Sequence, residues 1–172
     1  MRHRCPTLQA LDGTGSVPPR MDDRPRPEHP PLDAGLRREI IERFNEINRD
    51  RFGGHLGYRL VDVRRGWARI EVDSTPQLLN PSGVMHGGAS FGLADSAVAA
   101  ALLTIYGPGF ALLTIEMKIN YLEPIVSGVV TAEASVLRSS RRSAYAEVDV
   151  WAGGKLAARA STTYMIRPSA PA

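Results

Sequence analysis

The segment from about His86 to Tyr106 constrains this chain more than any other. At helical spacing Phe91, Ala94, Val98, Ala101 and Leu102 occupy one side, and Leu93, Ala97, Ala100 and Leu103 fill much of the rest. A helix that is apolar nearly all round must be enclosed on nearly all sides. The glycines and alanines, with Asp95 in its middle, argue against a membrane span and for a core helix. Gly107-Pro108-Gly109 ends it.

What could enclose it follows directly in the chain. Leu113, Ile115, Met117, Ile119 and Tyr121 alternate with Thr114, Glu116, Lys118 and Asn120. Three more alternating runs carry Val130, Ala132, Ala134 and Val136; then Ala144, Ala146, Val148 and Val150; then Leu156, Ala158, Ala160 and Tyr164. Period-two alternation marks half-buried strands. Turns are expected at Glu123-Pro124, Ser139 to Arg142 and Gly153-Gly154. Small inward residues suit a sheet that curls tightly onto a helix. Before the helix, a strand from Gly57 to Val63 and one with Ala68, Ile70 and Val72 inward are joined by a turn at Arg64-Arg65-Gly66, and Pro76 to Gly83 is a loop. Leu36, Ile40, Phe44 and Ile47 make an amphipathic N-terminal helix over 34–52, stopped by Phe52-Gly53-Gly54. The order helix, two strands, buried helix, four strands predicts an α+β fold, one antiparallel curved sheet wrapped on a central helix over 86–106.

Residues 1–33 read as a disordered tail. Pro18-Pro19, Pro25, Pro27 and Pro30-Pro31 remove backbone donors, and apolar periodicity is lacking. Met21 offers an alternative start. One domain spans 34–168, with a short tail over 169–172. The 21 basic and 18 acidic residues give a net charge of +3 with no basic stripe, so no nucleic-acid partner is expected. The one cysteine, Cys5, excludes an internal disulfide and a Cys-ligated metal cluster. No secretory signal is evident, no membrane partner is expected, and the expected location is cytoplasmic.

Chemistry concentrates at the start of the buried helix, in Asn80-Pro81-Ser82-Gly83-Val84-Met85-His86-Gly87-Gly88. The first N–H groups of a helix lack intrahelical partners and carry the positive end of its dipole, which suits an anion or a developing oxyanion. Glycine there lets a carbonyl approach the backbone closely. Asp95 lies about two turns on, in the most apolar part of the chain, where a carboxylate needs partners. Taken singly, Asp95 could point at water or at an arginine, His86 could be a helix-start residue, and Asn80 a loop residue. Their spacing around one helix N-terminus raises them to candidates. Gly88-Ala89-Ser90-Phe91-Gly92 spells the serine-hydrolase elbow G-x-S-x-G, but His3, His29, His55 and His86 all precede Ser90, leaving no base downstream.

Asn80-x2-Gly83-x2-His86-Gly87-Gly88 with Leu93-Ala94-Asp95 resembles the signature of the phenylacetate-degradation branch of hotdog thioesterases. Thr114-Ile115-Glu116-Met117-Lys118-Ile119-Asn120-Tyr121-Leu122-x-Pro124 resembles the strand that follows the central helix in that family. The likeness covers about 54–166 and implies the hotdog fold and hydrolysis of an acyl-CoA. Carried over, Asp95 is base or nucleophile, Gly87 N–H the oxyanion donor, and Asn80 and His86 orient or polarise the carbonyl. Thr114 positions the water from a partner subunit. The resemblance also implies a homodimer or homotetramer with a shared site, and neither metal nor cofactor, coenzyme A being part of the substrate. Arg138, Arg141 and Arg142 are candidates for the CoA phosphates, since guanidinium forks match phosphate oxygens; a solvated turn is the plainer account of them. Two other functions fit the pattern less well: a non-catalytic acyl-CoA-binding hotdog protein, and a hotdog hydratase or dehydratase using His86 with Asp95. The acyl group is left open.

Overall fold

In the structure, a computed structural model that describes residues 28–169, a six-stranded antiparallel sheet wraps a twenty-residue helix. The elements run α1 (Ala34–Asn48), α2 (Phe52–His55), β1 (Arg59–Arg64), β2 (Trp67–Asp73), a 3-10 turn (Pro76–Leu78), α3 (Gly87–Tyr106), β3 (Phe110–Tyr121), β4 (Val129–Ser139), β5 (Ser143–Ala152) and β6 (Lys155–Pro168). The strand order is β1-β2-β4-β5-β6-β3, so β1 and β3 form the two edges.

α3 is the central helix that the apolar run requires. Leu93, Ala94, Ala97, Val98, Ala100, Ala101 and Leu102 are fully enclosed. By length and composition α3 alone among the described helices could cross a membrane, and here it is the core. Facing it, Ala132, Ala134, Ala146, Ala158 and Ala160 are buried and bring the sheet close. His86 is the residue that caps α3 rather than its first turn: its ring Nδ1 accepts from Gly88 N–H at 2.9 Å. Ser90 lies inside this helix and is buried, so the G-x-S-x-G spelling forms no strand-to-helix elbow.

The N-terminal helix ends earlier than its periodicity predicts, at Asn48, and Phe52–His55 forms a separate short turn. The chain folds back so tightly that a Cβ on Gly54 would collide with the carbonyl oxygens of Asn48 and Arg49. Only glycine permits that return. Asp33 caps α1, accepting from the N–H groups of Gly35 and Leu36, and Pro30 O accepts from Arg65 N–H at 3.1 Å. Residues 30 and 33, expected in the tail, are therefore tied to the domain, and 1–27 lie outside the described residues.

The two sheet edges differ. On β1, the Asn45 side chain from α1 donates to Leu60 O (3.0 Å) and accepts from Leu60 N–H (2.9 Å), blocking that edge as a short strand would. No described element pairs with the outer edge of β3, which runs for twelve residues. Its expected alternation also breaks. The β3–β6 register shifts between Thr114 and Glu116, a bulge that reverses which residues face inward. Leu112 before the bulge and Met117 and Ile119 after it pack on the core, while Leu113 (38% exposed) and Ile115 (61%) turn outward. Thr162, fully buried on β6, donates to Glu116 O at 2.6 Å just past the bulge.

Candidate active site

The bulge brings Thr114 to the helix. Simple alternation puts this residue on the outer face with Glu116; in the structure its hydroxyl donates to Asp95 Oδ1 at 2.8 Å. The contact lies within one chain, whereas the family resemblance implies Thr114 acting from a partner. Tyr164, from β6, donates to the same oxygen at 2.5 Å and lies 3.0 Å from the Asp95 main-chain oxygen. Two donors on Oδ1 fix the rotation of the carboxylate. Oδ2 accepts no hydrogen bond among the described residues. The carboxylate is thus half-buried and anchored on one side only.

Tyr164 is 2% exposed, and burial, reinforced by the negative charge of Asp95, pushes its phenol well above the usual value of 10.0. It stays a protonated donor throughout the neutral and moderately alkaline range. By alternation alone it reads as an inward apolar residue. A further signal is present in the sequence: tyrosine among alanines on a buried face carries a hydroxyl that needs a partner.

At the N-terminal end of α3 stands a group of donors. Gly87 is the first helical residue, and its N–H finds no acceptor among the described residues, as expected at this position. Because His86 Nδ1 accepts from Gly88 N–H, the neutral imidazole carries its proton on Nε2, which leaves an exposed N–H. Asn80 uses its side-chain oxygen to fold the preceding loop, accepting from Ser82 N–H at 2.9 Å and Val84 N–H at 3.4 Å. The loop is held to the domain by Met85 N–H to Ile125 O and His86 N–H to Leu78 O, both 2.7 Å. Tyr121, which the sequence pattern does not single out, donates to Gly87 O at 2.8 Å and steadies the first peptide of the helix.

These two clusters do not meet in one chain. Eight residues separate Gly87 from Asp95, and at 1.5 Å per residue they stand about 12 Å apart along the helix. Nor do Arg138, Arg141 and Arg142 join either cluster. They are exposed around the β4–β5 turn, which sits at the C-terminal end of α3, where Tyr106 donates to Ser140 O at 2.7 Å.

Beside Asp95 a cleft of about 740 Å3 runs between α1 and α3. Its walls are mainly apolar, with Asp95 and Ser96 at one end of the α3 side and Tyr106 to Pro108 at the other.

A helix enclosed by a curled antiparallel sheet, with a carboxylate two turns beyond a glycine-led start, defines the class of the hotdog thioesterases. Comparison with known proteins agrees. The family model of the thioesterase superfamily matches residues 82–158. The chain is 30% identical to the Saccharolobus solfataricus protein SSO2140 over 129 residues, 74% of this chain and 88% of that one. Among solved structures, the conserved protein PA5202 of Pseudomonas aeruginosa is 34% identical, with a TM-score of 0.66 over 67% of this chain and 93% of that one. The phenylacetic acid degradation protein PaaI of Thermus thermophilus is 30% identical, with a TM-score of 0.62 over 66% and 96%. This chain belongs to the thioesterase superfamily.

Proposed function

We propose that the protein hydrolyses an acyl-CoA thioester to the free acid and coenzyme A, at a site built from two copies of the chain. The observation that carries the reading is the Asp95 carboxylate, anchored through Oδ1 by Thr114 and Tyr164 with Oδ2 left open. Oδ2 either takes the proton of an attacking water or attacks the thioester carbonyl itself; both routes use the same free oxygen. The carbonyl oxygen, negative in the tetrahedral intermediate, needs preorganised donors. The N–H of Gly87 at the helix N-terminus supplies one, with His86 Nε2–H and Asn80 Nδ2 of the preceding loop as further donors. Collapse of the intermediate expels the CoA thiolate; on the nucleophilic route this leaves an Asp95–acyl anhydride, which a water cleaves to the free acid and the restored carboxylate, so neither route needs a cofactor.

The separation of about 12 Å between Gly87 and Asp95 along α3 is too long for one carbonyl and one base, so the donors come from a second copy. In a twofold dimer each Gly87 can meet the other chain's Asp95 only if the two α3 helices run antiparallel with Phe91 midway. That arrangement carries the β4–β5 turn of the partner beyond the N-terminal end of α3, where its Arg138, Arg141 and Arg142 would face the CoA phosphates. The edge of β3, long, unpaired and bearing exposed Leu113, Ile115 and Tyr121, is the surface that such a dimer would cover.

Release of free thiol from acyl-CoA by the purified protein is the test. Asp95→Asn should lower kcat at least about 100-fold without changing the oligomer. Binding of acyl-CoA without turnover would support a ligand-binding protein instead, and hydration of crotonyl-CoA without thiol release would support a hydratase. An Asp95→Asn protein with full activity would remove this carboxylate from the reaction.

A further inference from the structure

The cleft between α1 and α3 is not explained by folding alone. α1 carries no fully buried residue, yet Leu36, Ile40, Phe44 and Ile47 all line this cleft. A surface helix normally closes its apolar stripe onto the core. Here Ile40 and Phe44 do so partly, while Leu36 and Ile47 stay 46% and 53% exposed. The opposite wall is the half-buried stripe of α3, at successive turns Asp95, Ala99, Leu103 and Tyr106. The cleft therefore begins at the anchored carboxylate and follows one helix. Its volume falls within the roughly 300–1,000 Å3 of small-molecule sites.

We infer that this cleft holds the acyl chain of the substrate, and that its length selects straight-chain acyl groups of medium length. The inference rests on the thioesterase reading of Asp95. From Asp95 to Tyr106 the α3 wall rises eleven residues, about 16 Å. An extended alkyl chain with C–C bonds of about 1.5 Å advances about 1.3 Å per carbon, so roughly a dozen carbons fill the cleft. A single aromatic ring would occupy only the first turn and leave the α1 side chains exposed. Each further methylene covered by the cleft favours binding by roughly fourfold. Ala99 lines the cleft one turn past the carboxylate, about four to five carbons beyond the carbonyl carbon and so past the end of a butyryl group. Its methyl group leaves room that a larger side chain would take.

The test compares butyryl-CoA with dodecanoyl-CoA in the full-length protein and in Ala99→Phe. The expected result is a fall in kcat/KM of at least tenfold for dodecanoyl-CoA and less than twofold for butyryl-CoA. Phe44→Ala, on the facing helix, probes the same cleft from its other wall and should move the preferred chain length upward. Calorimetric binding of a dodecanoyl-CoA thioether, which cannot be hydrolysed, is the second measurement, with Ala99→Phe weakening it at least fivefold. Equal effects of Ala99→Phe on both chain lengths, or no effect on either, in an active enzyme would overturn the cleft assignment and leave the activity standing. Thioether binding that is lost in Ala99→Phe, in a protein that releases no thiol, would preserve the cleft and overturn the thioesterase reading. Neither turnover nor thioether binding would overturn both.

Discussion

Removal of one hydroxyl group tests the geometry of the carboxylate most directly. In Tyr164→Phe the ring keeps its buried place, and the donor 2.5 Å from Asp95 Oδ1 is lost. A hydrogen bond to a charged group contributes about 1.5–3 kcal/mol. If it serves to hold the carboxylate in its reactive orientation, its loss appears in kcat as roughly a ten- to 150-fold fall. Thr114 still donates to the same oxygen at 2.8 Å, so the lower half of that range is expected. Thr114→Val should behave alike. The double variant frees the carboxylate to rotate, and its loss should exceed the sum of the single losses by at least about 0.5 kcal/mol, the coupling expected of residues sharing one partner. Steady-state thiol release gives kcat and KM, and thermal melting reports whether each variant keeps its fold. Wild-type kcat in Tyr164→Phe, or a change confined to KM, would refute the anchoring role.

Three further outcomes follow from other parts of the molecule. In Gly87→Ala the new Cβ would stand 2.9 Å from the Tyr121 hydroxyl and displace it. Since only the tip of one side chain must move, melting should change little while kcat falls at least tenfold. Tyr58 and Tyr164 are both buried with phenols pushed above 10.0. The unfolded chain ionises first, so their contribution is intact below about pH 10 and is lost above it, by about 1.4 kcal/mol per pH unit for each. Denaturant titrations from pH 8 to 11.5 should show this loss, and Tyr58→Phe should reduce it. Ala146→Leu, facing α3 from β5, should cost about 1–3 kcal/mol by overpacking, read as a lowered midpoint of chemical unfolding.

The fold was legible where pattern and burial agree. The all-apolar helix, the alanine-rich strand faces and the glycine turns each have one physical reading, and together they require a sheet curled on a helix. The placement of Gly87 at the start of that helix and of Asp95 two turns on is legible, because their spacing is helical arithmetic. What escaped depends on single residues acting across the fold. The bulge at Ile115 has no local signature, since an alternating strand looks the same with or without it. Without the bulge Thr114 faces the wrong way, so only the family resemblance pointed to it. Tyr164 and Tyr121 looked like ordinary strand aromatics because their partners lie 69 and 34 residues away. The end of α1 leaves no mark in the periodicity for a similar reason: the return of Gly54 onto the helix is a tertiary contact.

The bulged edge strand has one more consequence. Through Thr114 it grips α3 at the carboxylate, and through Tyr121 it grips the same helix at its first peptide. Two pins on one strand set both the rotation and the axial position of the helix. Any load on that strand is felt at Gly87 and at Asp95 together. If the proposed dimer forms along that edge, assembly and alignment become one mechanical event, and a loosened strand would misplace both groups before the core itself gave way.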